Sequence, residues 1–211
     1  MARIATRSRA DLTAAFGDQI PVRVIMSLFG MDWQEDGVAR SIAQHHETIA
    51  TYLGRKFEAG EVHARAKQAS TALNALLLPY VRERRDGQGE DFISRIWQGA
   101  PQFYGDIDEA TVLSICRELF FAGGDTTAHA IANALYLYLT RHDRRPPADH
   151  LAFNRGPRTC LGASLARTEI NLALQAVMDR LPTMRLDPDA EQPRFRSLFF
   201  RSHRPLNVMY D

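Results

Sequence analysis

The sequence has little cysteine: only two of its 211 residues, Cys116 and Cys160. Two cysteines are too few for a disulfide framework or for a zinc site with four cysteine ligands, so a reducing, cytoplasmic setting is expected. Long apolar runs are also lacking, because the longest, 131–139, contains Asn133 and is too short to cross a bilayer. No such run follows the N-terminal arginines, so neither a signal peptide nor a membrane partner is expected.

An excess of charge of one sign is absent too, since the formal net charge is +1. A role that depends on strong overall charge is therefore excluded. Arginine is clustered in the stretches 3–9, 82–85 and 141–145, but no aromatic residues interleave these clusters. Solvated surface is thus a better interpretation than nucleic-acid binding. The remaining composition, 45% hydrophobic and 24% charged, is that of a globular chain with a sizeable core.

Helical periodicity dominates the first two thirds of the chain. Apolar residues at i, i+3, i+4 and i+7 predict a helix over 11–30, with Pro21 near its start and Gly30 as its C-cap. Further helices are predicted over 35–57, 61–85 and 91–98, with loops over 86–89 and 99–105.

A longer helix is predicted from Asp106, an N-cap with Glu109 as its capping-box partner, to Arg141. Gly123 and Gly124 lie in its middle, and each costs roughly 1 kcal/mol relative to alanine. We therefore expect that something approaches the helix backbone at this point.

The last third mixes helix and strand. A proline-broken link over 142–150 precedes a predicted helix over 161–181. The segments 195–201 and 206–210 are predicted to be extended and to form a hairpin with its prolines at edge positions. The expected fold is mainly α with a small C-terminal β portion.

The most specific signal is the run Phe-Asn-Arg-Gly-Pro-Arg-Thr-Cys-Leu-Gly, which begins at Phe153. Cys160 directly precedes a predicted helix, whose free N–H groups and dipole stabilise a thiolate. Arg158 adds positive charge nearby, and Phe153 can shield the sulfur from water. Gly156 and Gly162 permit a tight loop and the close approach of a flat ligand. A buried cysteine at a helix start is the plainer alternative, but it leaves these neighbours unexplained.

A second signal is the run Ala-Gly-Gly-Asp-Thr-Thr, which begins at Ala122. Gly123 and Gly124 thin one face of the helix, and the Thr126 hydroxyl can bond back to a carbonyl one turn earlier and bend it. The adjacent Asp125 could move protons. A helix kink with a surface acid is the alternative.

Other residues attract weaker interpretations. His45 and His46 are adjacent on a helix and so do not share a face, and the other histidines show no metal-ligand spacing. Cys116 is predicted to be a core thiol.

Both runs resemble segments of the cytochrome P450 family. The first agrees with that family's cysteine loop, Phe-x-x-Gly-x-Arg-x-Cys-x-Gly, at every fixed position, and Ala166 matches the small residue on the following helix. The resemblance implies haem b as the cofactor, with Cys160 as the axial iron ligand and Arg158 paired with a propionate. Electron donation from a thiolate ligand favours O–O cleavage.

The second run resembles the oxygen-activation segment of the same family. This implies that Gly123 and Gly124 admit haem and O₂, that Thr126 holds the oxygen by a hydrogen bond, and that Asp125 relays protons. The implied function is a haem-thiolate monooxygenase that oxidises a small organic substrate. No flavin, iron–sulfur or dinucleotide motif is present, so an electron-donor redox protein, a ferredoxin or a flavoprotein, is the expected partner.

The resemblance extends over 20–140 and 150–210 and predicts one abridged P450-like domain over 1–211. Its predicted parts are a helical region (1–105), the long oxygen-activation helix (106–141), the cysteine loop with its following helix (150–181), and a C-terminal β segment (182–211).

Two parts that the family normally has are expected to be missing. One is a long N-terminal portion. The other lies between Thr126 and Cys160, which are only about 34 positions apart, with the expected junction within 141–149. The family's Glu-x-x-Arg pair belongs to that region, and its match here, Glu191 to Arg194, follows Cys160 and is not given that role. The alternative function is therefore a non-catalytic truncated remnant that binds haem weakly or not at all.

Overall fold

The structure is a computed structural model that describes residues 8–54, 60–140, 150–195 and 200–211. Its α-helices are α1 (Gln19–Leu28), α2 (Asp36–Gly54), α3 (Glu61–Glu83), α4 (Phe92–Gly99), α5 (Pro101–Tyr104), α6 (Glu109–Phe120), α7 (Thr126–Thr140) and α8 (Ala163–Arg180). A π-helical segment, Thr13–Gly17, precedes α1, and a second one, Phe121–Asp125, joins α6 to α7. A 3₁₀ turn spans Gly156–Arg158. The predicted mainly α fold is confirmed.

Short strands supply the predicted β portion, but not as the predicted hairpin. They are β1 (Arg9–Asp11), β2 (Arg185–Leu186), β3 (Arg194–Phe195), β4 (His203–Arg204) and β5 (Asn207–Met209). β5 lies between β1 and β2 and pairs antiparallel with both, whereas β3 pairs with β4. The hairpin between 195–201 and 206–210 is therefore wrong. Each edge of β5 is paired with a strand from elsewhere in the sequence, and one of these strands, β1, ends at Asp11, where the predicted helix over 11–30 begins.

The helix ends show where local signals succeed and where they mislead. Gly30 has φ 66°, and the N–H groups of Gly30 and Met31 donate to Ser27 O and Met26 O at 3.1 and 2.9 Å, which confirms the glycine C-cap. The predicted cap at Asp106 is wrong. Asp108 caps α6 instead, because its carboxylate accepts a hydrogen bond from Thr111 N at 2.8 Å.

The predicted helix over 106–141 is interrupted rather than continuous. A π-helical turn occupies Phe121–Asp125, at the glycine pair, and α7 begins after it. Such π turns are rare and are frequent at functional sites. The predicted loop over 99–105 contains a single helical turn, α5, that begins at a proline.

The chain divides into two compact units, and each has its own core. One unit contains Pro21–Thr126, and the other contains the chain up to Ile20, Thr127–Arg196 and Arg201–Asp211. In the first, α1, α2, α3, α4 and α6 bury an apolar cluster that includes Met26, Phe29, Ile42, Leu73, Leu77 and Phe120. In the second, α7, α8 and β5 bury a cluster that includes Leu12, Ile131, Leu135, Val177, Leu206 and Val208. The single domain predicted over 1–211 stays a prediction.

Over the described residues, no helix combines the length and apolar character needed to cross a membrane. The predicted junction within 141–149 lies outside the described residues.

Candidate functional site

The cysteine loop is folded by two residues in the left-handed region and by a short set of backbone hydrogen bonds. Asn154 and Gly156 have φ of 59° and 67°, conformations that asparagine and glycine tolerate best. Cys160 N donates to Phe153 O at 2.8 Å and closes the loop between them. The predicted tight loop around Gly156 is therefore present.

Cys160 lies at the entrance to α8, as the sequence predicted. Its side chain is exposed, and its thiol is free. Ala163 N, the first helical amide of α8, donates to Cys160 O at 3.2 Å. Gly162 is the N-cap, and a Cβ added there would lie 3.8 Å from Cys160 Sγ. The sulfur is thus held beside the first turn of the helix.

The surface around the cysteine is apolar and basic. Leu161 is fully exposed and Leu165 partly so, and Arg158 is exposed on the 3₁₀ turn. The half-buried Phe153 ring lies 4.7 Å below the guanidinium carbon of Arg167. Its predicted role in shielding the sulfur stays a prediction.

The other cysteine has a different environment. Cys116 is fully buried in α6, which confirms the predicted core thiol. Burial, and then the negative charge of Asp91, raise the pKa of Cys116 to about 12. It is therefore a protonated thiol at neutral pH.

The second run, Ala-Gly-Gly-Asp-Thr-Thr, lies at the π-helical turn. Thr126 Oγ1 donates to Ala122 O at 2.6 Å, so the predicted back-bond is present. A Cβ on Gly123 would lie 2.7 Å from Ile25 Cδ1, and one on Gly124 would lie 3.4 Å from His46 Nδ1. Something does approach the backbone here, namely side chains of α1 and α2. The predicted admission of haem and O₂ by these glycines stays a prediction.

His46 is the residue that the sequence missed. Its side chain is 1% exposed, and its Nδ1 lies 3.3 Å from Oδ1 of Asp125, which is 12% exposed. The rings of Phe120 and Phe121 stand roughly perpendicular to the imidazole, with centroids at 6.0 and 6.1 Å. Asp125 is therefore a partly buried acid beside a fully buried base, and not a surface acid.

Comparison with known proteins supports the resemblance to the P450 family that the cysteine loop indicates. The sequence model described as "Cytochrome P450" matches residues 138–205. Mycinamicin IV hydroxylase/epoxidase of Micromonospora griseorubida is 25% identical, over 90% of this chain and 64% of that protein. Vitamin D3 dihydroxylase of Streptomyces griseolus is 41% identical over 71 residues, which are 34% of this chain and 16% of the dihydroxylase. Together these matches indicate a bacterial-type cytochrome P450.

Solved P450 structures share the fold. P450BioI in complex with an acyl carrier protein superposes with a TM-score of 0.81 at 16% identity, covering all of this chain and 71% of that one. CalO2 gives the same TM-score at 18% identity, covering all of this chain and 70% of that one. At such identities the likeness shows the fold alone.

The chain is shorter than the curated relatives that it matches. It spans 64% and 58% of the length of the mycinamicin hydroxylase and of the PikC monooxygenase of Streptomyces venezuelae. The alignment with the former is 266 positions long, more than the 211 residues of this chain, so the relative has residues within the aligned stretch that this chain lacks. Glu191 and Arg194 form an exposed ion pair of 3.0 Å, and we assign it no P450 role.

The predicted site residues form two groups. The structure brings one group together in the loop and first turn of α8: Phe153, Gly156, Arg158, Cys160, Gly162 and Ala166. The other group lies at the π-helical turn: Gly123, Gly124, Asp125 and Thr126. The first group fits a haem iron, because it offers an accessible soft sulfur, a basic side chain and exposed apolar surface.

Proposed function

We propose that the chain binds haem b through Cys160 and that the bound form is a monooxygenase acting on a small organic substrate. The observation that carries this proposal is the free, exposed thiol of Cys160 in a hydrogen-bonded loop at the start of α8. That loop lies inside the stretch that the P450 sequence model matches. Haem, when bound by a thiolate, supplies the redox chemistry that activates O₂.

The residues around Cys160 would hold the cofactor. The hydrogen bond from Cys160 N to Phe153 O and the bond from Ala163 N to Cys160 O fix the backbone on both sides of the thiol. A ligand held in this way needs little reorganisation when it binds metal. Arg158, exposed two residues before the cysteine, is suited to a propionate, since its guanidinium can bind a carboxylate through two hydrogen bonds.

Asp125 and Thr126 would take part in proton transfer. The Thr126 hydroxyl gives its hydrogen to Ala122 O, so its oxygen is left as an acceptor. We propose that it orients proton-bearing groups, water included. Asp125 would then hold and release the proton, because its carboxylate is largely removed from solvent.

Electrons would come from a separate redox protein, a ferredoxin or a flavoprotein. The PikC relative is named a monooxygenase, and the mycinamicin relative a hydroxylase/epoxidase. Both names are consistent with oxygen insertion by this chain, and the substrate class proposed here goes no further than a small organic molecule.

The second candidate function is a chain that binds haem weakly or not at all and performs no oxidation. The alignment that exceeds the length of this chain favours it, because the residues that the relative has in addition are part of a complete P450. We place catalysis first because the described loop and π-helical turn retain the residues that both P450 segments require.

The absorbance spectrum of the full chain, mixed with haem, reduced and exposed to CO, distinguishes the two. A thiolate-type Soret band would support the monooxygenase. Failure to retain haem through gel filtration would support the remnant. A histidine- or water-ligated spectrum would overturn the assignment of Cys160.

A further inference from the structure

We propose that His46 is the positioning residue of Asp125, and that the two side chains form a buried acid–base pair that shares one ionisable proton. The consequence for turnover rests on the function proposed above, whereas the pair itself does not. The sequence motif contains Asp125 but gives no partner for it, and His46 lies on a different helix, α2.

Burial requires the two groups to act together. The His46 side chain is 1% exposed and Asp125 is 12% exposed, with Nδ1 and Oδ1 at 3.3 Å. The two atoms are close but are not aligned as a hydrogen bond, and His46 Nε2 and Asp125 Oδ2 also have no hydrogen-bond partner among the described residues. An isolated charge in such a place would lose its hydration without compensation. A pair with one proton stays neutral overall, either as imidazolium and carboxylate or as imidazole and carboxylic acid.

The residues around His46 and Asp125 leave room for this contact. Gly124 has no side chain where a Cβ would come within 3.4 Å of His46 Nδ1, so the imidazole can lie against the π-helical turn. Phe120 and Phe121 flank the ring and leave it few polar neighbours. The glycine therefore has a role in this chain that does not depend on haem.

A second titratable group that interacts with His46 is its sequence neighbour His45. Burial, and then the positive charge of His46, lower the pKa of His45. His45 Nε2 is paired with Ser41 Oγ at 3.3 Å, within α2. Asp125 and His45 are thus two titratable groups that interact with His46. His45 does not contact Asp125 and provides a matched control.

A pair of this kind would set when Asp125 is ionised. The imidazolium stabilises the carboxylate, and it can give its proton to Asp125 before Asp125 passes that proton on. His46 would therefore act through Asp125, without touching substrate or cofactor. Removing it should move the pH dependence of turnover and leave cofactor binding in place.

The decisive measurement is two-dimensional ¹⁵N NMR of the imidazole rings in the full chain, with or without haem. In Asp125→Asn the ¹⁵N resonances of the His46 ring should move, because the ring loses the carboxylate that lies beside its Nδ1. The ring resonances of His45 should keep their positions, because His45 is paired with Ser41 within α2. His46→Gln assigns the signals. Unchanged His46 resonances in Asp125→Asn overturn the pair, whatever the chain does with haem.

Turnover tests the consequence. His46→Gln should shift the pH profile of O₂ consumption in the same direction as Asp125→Asn, with haem content unchanged, while His45→Gln should keep the original profile. A His46→Gln profile identical to the unmodified chain, with Asp125→Asn altered, overturns the positioning role. If the unmodified chain consumes no O₂, the function proposed above has failed, and the NMR comparison with Asp125→Asn alone decides whether the pair exists.

Discussion

At the scale of single residues, the two cysteines differ in what surrounds their sulfur atoms. Cys116 is fully buried and its pKa is raised to about 12, so it is a thiol, whereas Cys160 is exposed at the start of α8. Only a thiolate ligates iron well. We therefore expect Cys160→Ser to abolish the thiolate-type spectrum of the haem-loaded chain, and Cys116→Ser to preserve it.

Reduced, CO-bound absorbance measures both variants. A buried serine hydroxyl at position 116 costs about 1–3 kcal/mol if it finds no partner, so circular dichroism should first confirm that Cys116→Ser is folded. Equal loss of the thiolate-type band in two folded variants would contradict the assignment of Cys160.

Single residues also show what a sequence motif can and cannot predict. Cys160 and Gly156 were identified because their neighbours in sequence are also their neighbours in space, through bonds such as Cys160 N to Phe153 O. His46 was missed because its partner Asp125 belongs to a different helix, and adjacency to His45 carries no information about that contact. Pairing between distant helices depends on tertiary packing, which local patterns do not encode.

At the scale of elements, Gly123 controls how closely α1 approaches the π-helical turn. A Cβ there would lie 2.7 Å from Ile25 Cδ1, and Ile25 is itself buried. Overpacking costs about 1–3 kcal/mol, and the lower end of that range applies here because Ile25 Cδ1 is the end of a flexible side chain. This cost offsets the gain in helix propensity of about 1 kcal/mol, so in urea denaturation we expect Gly123→Ala to gain less stability than alanine at a helical glycine with open space around it.

A matched glycine separates the two effects. Gly37 lies in α2 with no atom within 4 Å of an added Cβ, so Gly37→Ala should be neutral or stabilising by up to about 1 kcal/mol. Ile25→Val should restore part of the stability when combined with Gly123→Ala, because it removes the nearest atom. Equal free energies of unfolding for Gly123→Ala and Gly37→Ala would show that the Ile25 side chain of α1 moves aside without a free-energy cost.

The α8 helix carries a buried acid whose ionisation opposes folding. Glu169 is 6% exposed, its Oε2 has no partner among the described residues, and burial raises its pKa to about 7. The folded state keeps the proton over a range in which the unfolded state, with the ordinary value near 4.5, has released it. Stability should therefore fall as pH rises from about 4.5 to 7.

Glu169→Gln should remove this dependence. We expect it to raise the free energy of unfolding at pH 8 by about 1–3 kcal/mol and to change it little at pH 4. Asp179→Asn, an exposed acid on the same helix, is the control and should behave like the unmodified chain. Denaturant titrations at several pH values test both, and a Glu169→Gln effect equal at pH 4 and pH 8 would contradict the ionisation argument.

Elements were predicted well where the signal is local. The C-cap at Gly30 and the helix after Cys160 follow from residues within one or two turns. The break at Phe121–Asp125 was only partly foreseen: the glycines and the Thr126 hydroxyl indicated a bend, but a π turn differs from a bent α-helix by one residue of register. The choice between Asp106 and Asp108 as the cap of α6 likewise depends on backbone geometry that both aspartates could have adopted.

At the scale of the whole molecule, composition and helical period predicted the mainly α fold, and the cysteine loop predicted the family. The strand order could not be predicted, because β5 pairs with β1, near the start of the described chain, and with β2, just after α8. Strands of two or three residues carry too short a pattern to specify such partners.

The chain should associate in solution, because one helix exposes large apolar side chains. On α8, Leu165 and Leu172 are 39% and 60% exposed, and their spacing of seven residues places them on the same side of the helix. Leu161, just before α8, is fully exposed as well. A contiguous apolar surface of this kind favours association. We expect sizing chromatography of the haem-free chain to show oligomers whose proportion rises with concentration.

Leu172→Gln should shift the distribution toward the monomer, because it removes apolar surface from the centre of α8 without adding charge. Asn171→Gln, an exposed polar change one position away, should leave the distribution as it was. A sharp, concentration-independent monomer peak for the unmodified chain would instead mean that this surface is too small to hold two copies together.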